Sequence, residues 1–91
     1  MAMRRVQVGS RVGLHARPAA VFVRAVTARS APITLARAGG APVDARSILA
    51  VLGLGLRYGE EVVIECEGLD EEALEELAAL LATELDPAVA Q

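Results

Sequence analysis

Segments with the hydrophobic repeat of β-strands and segments with that of α-helices follow one another along this 91-residue chain. The order of these segments limits the folds that the chain can adopt. Four segments have the alternation or composition of half-buried strands, and three repeat apolar residues at helical spacing. The predicted strands are 5–8, 32–36, a short one centred on Val43, and 61–67. The predicted helices are about 16–29, 47–52, and one that opens at Asp70 and ends before Pro87. The order βαββαβα predicts a single α+β domain over residues 1–91, with helices covering one side of a small sheet.

Glycine and proline mark several ends of these elements. Gly39 and Gly40 predict a hairpin turn, and Pro42 places the third strand at an edge of the sheet. Gly53 and Gly55 are expected to end the second helix. The residues predicted to be buried are Val62, Ile64 and Cys66 of the fourth strand and Leu74, Leu77, Leu81 and Leu85 of the last helix.

Composition excludes several classes of protein. The chain is 54% hydrophobic but has one Phe, one Tyr and no Trp, so nucleic-acid stacking platforms are not expected. No apolar run reaches the roughly 18 residues of a membrane span, and the N-terminus lacks a signal-peptide core, which predicts a cytoplasmic protein. One His and one Cys cannot form an ordinary zinc site, so neither a metal nor another cofactor is expected.

Charge is distributed unevenly along the chain. Up to Val43 there are seven arginines and no acid, whereas from Asp44 onward there are two arginines and all twelve carboxylates. We expect the basic half to attract an acidic partner surface in a salt-sensitive manner. The same half could suggest nucleic acid, but the scarcity of aromatics and the lack of a known motif and of a net positive charge argue against that partner.

Residues 13–20 are Gly-Leu-His-Ala-Arg-Pro-Ala-Ala and contain His15, the only histidine. Pro18 is tolerated in a first helical turn, so a helix is predicted to begin at or just after His15. The unpaired N–H groups of that turn and its dipole favour an anion, and the guanidinium of Arg17 matches phosphate oxygens. A neutral imidazole is a nucleophile. These groups are what a transient phosphohistidine needs, although a polar surface histidine near a helix start is also an ordinary occurrence.

The octet strongly resembles the active-site signature of the HPr family, the histidine phosphocarriers of the bacterial phosphotransferase system. The likeness continues through Ser47-Ile-Leu-Ala-Val-Leu-Gly-Leu-Gly-Leu and Arg57-Tyr-Gly-Glu-Glu-Val. The resemblance implies an open-faced sandwich, in which three helices cover one face of a four-stranded antiparallel sheet. A ferredoxin-like βαββαβ unit begins with the same element string and remains the alternative fold.

The resemblance also implies a site and partners. His15 would accept a phosphoryl group on Nδ1 from Enzyme I and pass it to an Enzyme IIA. Arg17 and the amides of Ala16 and Arg17 would hold its oxygens, and Pro18 would fix the first turn. Because the chain has no nucleotide-binding motif, the phosphoryl group must come from another protein. The chain is then a phosphoryl carrier, expected to be monomeric, rather than a stand-alone enzyme.

The second matching motif suggests regulation and docking. Ser47 has the features of a helix N-cap, and in HPr of many Gram-positive bacteria the matching serine is phosphorylated by a dedicated kinase. An apolar docking surface is implied next to Arg17; its residues would be Ala20, Arg24, Ile48, Leu49 and Leu52.

One departure from the pattern and two other functions stay open. Val12 occupies a position that is Ser or Asn in many HPr sequences, which puts one hydrogen bond near the site in doubt. A regulatory or nitrogen-branch carrier not coupled to sugar import is one alternative. A non-catalytic ferredoxin-like binding domain, in which His15 is incidental, is the other.

Overall fold

The computed structural model describes residues 2–29, 32–68 and 71–83. Its elements follow the predicted order βαββαβα. The strands are β1 (Ala2–Gln7), β2 (Ile33–Arg37), β3 (Val43–Asp44) and β4 (Glu61–Cys66). The helices are α1 (Ala16–Thr27), α2 (Ile48–Gly53) and α3 (Glu71–Ala82).

The strands form one sheet in the order β1-β4-β2-β3, and the three pairings among the described residues are antiparallel. In a ferredoxin-like unit the third strand lies between the first two, whereas here the fourth strand does, so that alternative fold is excluded. Pro42 correctly places β3 at an edge. The other edge is β1, which pairs with β4 from Ala2 opposite Cys66 to Gln7 opposite Glu61.

The core lies between the sheet and the three helices, as expected for an open-faced sandwich. On β4 the alternation of apolar and polar residues predicts the buried face correctly. Val62, Ile64 and Cys66 are fully buried. Phe22, the one phenylalanine, is fully buried on α1. Leu74, Leu77 and Leu81 of α3 are buried as predicted, whereas the predictions for Asp70, Leu85 and Pro87 fall outside the described residues.

Element boundaries differ from the predictions for local reasons. The α1 helix ends at Thr27 rather than Arg29. The α2 helix, predicted over 47–52, covers Ile48–Gly53, so Gly53 is its last residue, and the left-handed turn after the helix is made by Gly55, at φ 60°. The β1 strand begins at Ala2 because its ladder with β4 continues to the end of that strand. No helix among the described residues has the length and apolar character needed to cross a membrane.

Candidate phosphoryl-transfer site

The segment before His15 is fixed by backbone hydrogen bonds to two other parts of the chain. The N–H of Val8 donates to the carbonyl of Glu60 at 3.0 Å, and the N–H of Gly9 donates to the carbonyl of Leu81 at 2.7 Å. At Gly9 the chain runs against α3 so closely that a Cβ would lie 1.9 Å from the carbonyl oxygen of Ala82. The loop that presents His15 is therefore held by the residue that precedes β4 and by the end of α3.

Gly13 and Leu14 pack against the loop at residues 54–60. The Leu14 N–H donates to the carbonyl of Leu56 at 3.0 Å, and both residues are buried. Gly13 has φ 75°, and a Cβ there would lie 2.4 Å from the Leu56 carbonyl oxygen. Only glycine satisfies both conditions, because an L side chain disfavours this backbone region and would also collide with the neighbouring chain.

His15 is the N-cap of α1, with extended backbone angles of φ −136° and ψ 153°. Its side chain makes no capping hydrogen bond and is exposed to solvent. The first turn of α1 contains no acidic residue. Pro18 is buried and has no N–H, so the donors that this turn can offer include the amides of Ala16 and Arg17. An exposed imidazole thus adjoins a helix end suited to an anion.

The basic side chains proposed for the site lie on the same helix. Arg17 is the second residue of α1, and Arg24 lies in its last turn. Both side chains are exposed. Val12, the departure noted in the sequence, is 49% exposed and is therefore a surface residue rather than part of the core.

The α2 helix packs beside α1 and carries the second motif. Ser47 is its N-cap, as predicted, and its hydroxyl accepts a hydrogen bond from the Ala50 N–H at 3.2 Å. Leu49 is 79% exposed and Ile48 is 36% exposed. Leu52, expected at the centre of an exposed surface, is only partly exposed because it also packs against the core.

The docking patch, which is the surface that sequence analysis predicted to bind a partner, combines three side chains of α2 with two exposed residues of α1. Its members are Ala20, Arg24, Ile48, Leu49 and Leu52. Leu49 is its most exposed apolar member. Because Val51 on the same helix is buried, Leu49 and Ile48 are the side chains through which α2 presents apolar area to solvent.

Sequence analysis missed an ion pair beside the 54–60 loop. The guanidinium of Arg37, on β2, donates from Nε to the Glu60 carboxylate and from Nη2 to the Leu54 carbonyl at 2.7 Å. Glu60 also accepts from the Arg57 N–H at 3.0 Å. The Arg37 hydrogen bond, followed by the Arg57 N–H, lowers the pKa of Glu60 below its ordinary value. No local pattern reveals a pair that is 23 residues apart.

A metal centre has no support in the part of the chain that the structure describes. Within residues 2–29, 32–68 and 71–83, no group of three His, Cys, Asp or Glu side chains is placed to hold a metal ion. Cys66, the single cysteine, is fully buried at the end of β4.

Comparison with known proteins decides the family. Residues 2–83 match the protein-family model described as PTS HPr component phosphorylation site. PTS denotes the phosphotransferase system. The chain belongs to the HPr family. It is 58% identical over 88 residues to the phosphocarrier protein HPr of Streptomyces coelicolor, covering 94% of each chain. It is 38% identical to the HPr-like protein Crh of Bacillus subtilis, covering 93% of this chain and all of that one.

A solved structure supports the same assignment. The crystal structure of a phosphocarrier protein HPr from Bacillus anthracis matches with a TM-score of 0.81 and 42% sequence identity. The match covers 88% of this chain and 95% of that chain. Sequence and fold therefore both confirm the resemblance carried by the octet and the α2 motif to the phosphocarriers of the phosphotransferase system.

Proposed function

We propose that this HPr-family chain carries a phosphoryl group on His15, taken from Enzyme I and passed to an Enzyme IIA of the sugar phosphotransferase system. The observation that carries the proposal is the exposed His15 side chain at the N-cap of α1, above a first turn without an acidic residue. An anion bound there meets no local carboxylate, and the helix dipole stabilises it.

The chemistry is a displacement at phosphorus. A ring nitrogen of neutral His15, Nδ1 by the family resemblance, forms a bond to phosphorus while the bond from phosphorus to the donor histidine nitrogen breaks. Arg17 neutralises charge on the equatorial oxygens, and the amides of Ala16 and Arg17 donate to them. Transfer to the acceptor repeats the same displacement with His15 as the leaving group. Pro18 holds the direction of the turn.

The docking patch gives the partner a place to bind. Leu49 and Ile48 provide apolar area, and Arg24 provides positive charge at its rim. We infer that Enzyme I and Enzyme IIA present apolar residues surrounded by acidic ones. Such pairing raises the association rate at low salt and weakens as salt screens it.

Ser47 offers a point of regulation at the edge of the docking patch. A phosphate on its hydroxyl would sit at a helix start, which tolerates the charge, but would repel an acidic partner. We expect Ser47→Asp to lower the rate at which His15 is phosphorylated at low salt. An unchanged rate would remove this regulatory role.

The decisive experiment is incubation of the purified chain with Enzyme I and phosphoenolpyruvate. We expect one acid-labile, base-stable phosphate on the wild type and none on His15→Ala. The Arg17→Met variant should react about 10²-fold more slowly, the usual effect of losing one group that stabilises developing negative charge. Arg5→Met, which removes the same charge from β1, is the matched control. If wild type and His15→Ala behave alike, the carrier function is wrong.

Transfer of the phosphoryl group from His15 to an Enzyme IIA distinguishes a sugar carrier from a regulatory one. The 58% identity to the phosphocarrier protein HPr of Streptomyces coelicolor supports the carrier that feeds an Enzyme IIA. Phospho-His15 protein mixed with an Enzyme IIA should lose its label to that partner. Retention of the label with every Enzyme IIA of the source organism would favour the regulatory alternative.

A further inference from the structure

The 54–60 loop is joined to the segment that presents His15 by three backbone hydrogen bonds. Leu14 donates to the carbonyl of Leu56 at 3.0 Å, Gly59 donates to Val8 at 2.8 Å, and Val8 donates to Glu60 at 3.0 Å. Leu14 directly precedes His15. Any displacement of the 54–60 loop is therefore transmitted through one hydrogen bond to the residue next to the imidazole.

Beyond these backbone hydrogen bonds, the loop is held by side-chain contacts, few of which are apolar and buried. It lies outside the helices and strands, and Gly55 and Gly59 both have positive φ angles, of 60° and 80°. Tyr58 is exposed, and Leu56 is its one residue in the buried core. Segments with few buried apolar contacts open locally at low free-energy cost.

Arg37 and Glu60 supply those side-chain contacts. The Arg37 guanidinium binds both ends of the loop, donating to the Leu54 carbonyl at 2.7 Å and to the Glu60 carboxylate. The same carboxylate accepts from the backbone N–H of Arg57 at 3.0 Å, inside the loop. One ion pair thus ties β2, the start and end of the loop and its interior to each other.

We propose that Arg37 and Glu60 are positioning residues for phosphoryl transfer at His15, an inference that rests on the proposed carrier function. They act by holding the Leu56 carbonyl where Leu14 binds it, which fixes the start of α1 relative to the sheet. Displacement at phosphorus demands close alignment of the attacking nitrogen, and small misplacements slow such reactions strongly. Neither residue touches the phosphoryl group.

Two charge-removing variants distinguish positioning from electrostatic steering. Arg37→Met makes the chain more negative, whereas Glu60→Gln makes it less negative. If these residues acted only by steering an acidic partner, the two variants would change the rate in opposite directions. Positioning requires that both variants lower it.

The chain contains a matched control pair on another part of the sheet. Arg5 and Glu61 form an ion pair of 3.4 Å between β1 and β4, and both side chains are exposed. Arg5→Met and Glu61→Gln make the same charge changes without touching the Leu54 carbonyl or the Arg57 amide. Arg37→Lys adds a conservative test, because one ammonium keeps the charge but lacks the planar fork that serves two acceptors.

The test measures steady-state phosphorylation of His15 by Enzyme I, together with amide hydrogen exchange at Leu14. We expect kcat to fall roughly three- to tenfold for both Arg37→Met and Glu60→Gln, with KM unchanged. Exchange at the Leu14 N–H should accelerate in both variants, and Arg37→Lys should lie between wild type and Arg37→Met. Melting temperatures measured beside each variant ensure that folded proteins are compared.

Two kinetic results would overturn the positioning role. In the first, kcat of both Arg37→Met and Glu60→Gln stays within twofold of the Arg5→Met and Glu61→Gln controls. In the second, the rate rises in one of the two variants and falls in the other. Failure of the underlying function looks different, because wild type itself would then take no phosphate on His15. Leu14 exchange does not depend on phosphorylation, so unchanged exchange in both variants refutes the structural link by itself.

Discussion

Gly13→Ala tests the close approach between the segment before His15 and the 54–60 loop. The substitution adds one methyl group at a residue with φ 75°, and that methyl would lie 2.4 Å from the Leu56 carbonyl oxygen. The two chains must separate to accept it. The hydrogen bond from Leu14 to Leu56 is the interaction most directly strained by that separation.

The expected loss of stability has two parts. Left-handed backbone costs an L residue about 1–2 kcal/mol. Breaking the Leu14–Leu56 bond leaves a buried donor and acceptor unsatisfied, which costs about 1–3 kcal/mol. The sum, about 2–5 kcal/mol, is a large fraction of the stability of a small domain. It corresponds to a fall in melting temperature of about 10–30 °C for a chain of this size.

Gly39→Ala is the matched control. Gly39 has φ 79°, and a Cβ there would meet nothing within 4 Å. The Gly39→Ala variant has the same backbone strain without the collision. The difference between the two variants in the free energy of unfolding, measured in urea, therefore isolates the effect of the contact. If Gly13→Ala is no more destabilising than Gly39→Ala, the reasoning about the Leu56 carbonyl is wrong.

Three further predictions concern the α2 cap, the ion pair and the docking patch. Ser47→Ala should destabilise the protein by about 1 kcal/mol in urea unfolding, and Ser47→Asn should retain most of that stability because it can cap the helix; equal loss in both would contradict the capping role. Arg37 lowers the pKa of Glu60 in the folded state below its unfolded value of about 4.3. The stabilisation that the Arg37–Glu60 pair gives is therefore fully present above the unfolded pKa and is lost as the pH falls through the folded pKa. The difference in melting temperature between wild type and Glu60→Gln should therefore shrink on acidification, and a constant difference would refute the linkage. Leu49→Ala should change stability by less than about 0.5 kcal/mol yet raise KM for Enzyme I, whereas Leu77→Ala should cost about 2–5 kcal/mol; an unchanged KM would remove Leu49 from the docking patch.

Features set by local sequence could be predicted from the chain. The start of α1 after His15 follows from Pro18 and the apolar spacing behind it, and the N-cap role of Ser47 follows from its position before an apolar run. The buried face of β4 follows from alternation with a period of two. In each case the governing contacts join residues a few positions apart, so the pattern is visible in one short window.

Features that depend on the strand order could not be predicted in this way. Gly13 meets Leu56 only because β4 lies beside β1 and brings the preceding loop with it. The Arg37–Glu60 pair depends equally on β2 lying on the other side of β4. Helix ends are also poorly specified by composition, as α1 illustrates by ending at Thr27 rather than Arg29.

The sheet order has a consequence for how the chain folds during synthesis. The strand made last, β4, lies between β1 and β2, and it is the sheet partner of β1 among the described residues. A nascent chain that has not yet exposed residues 61–66 to solvent can close the β2–β3 hairpin, but its first strand still has no neighbour to pair with. We therefore expect a ribosome-stalled fragment ending before Glu61 to be sensitive to protease around His15, and resistance to appear only once the last strand has left the exit tunnel.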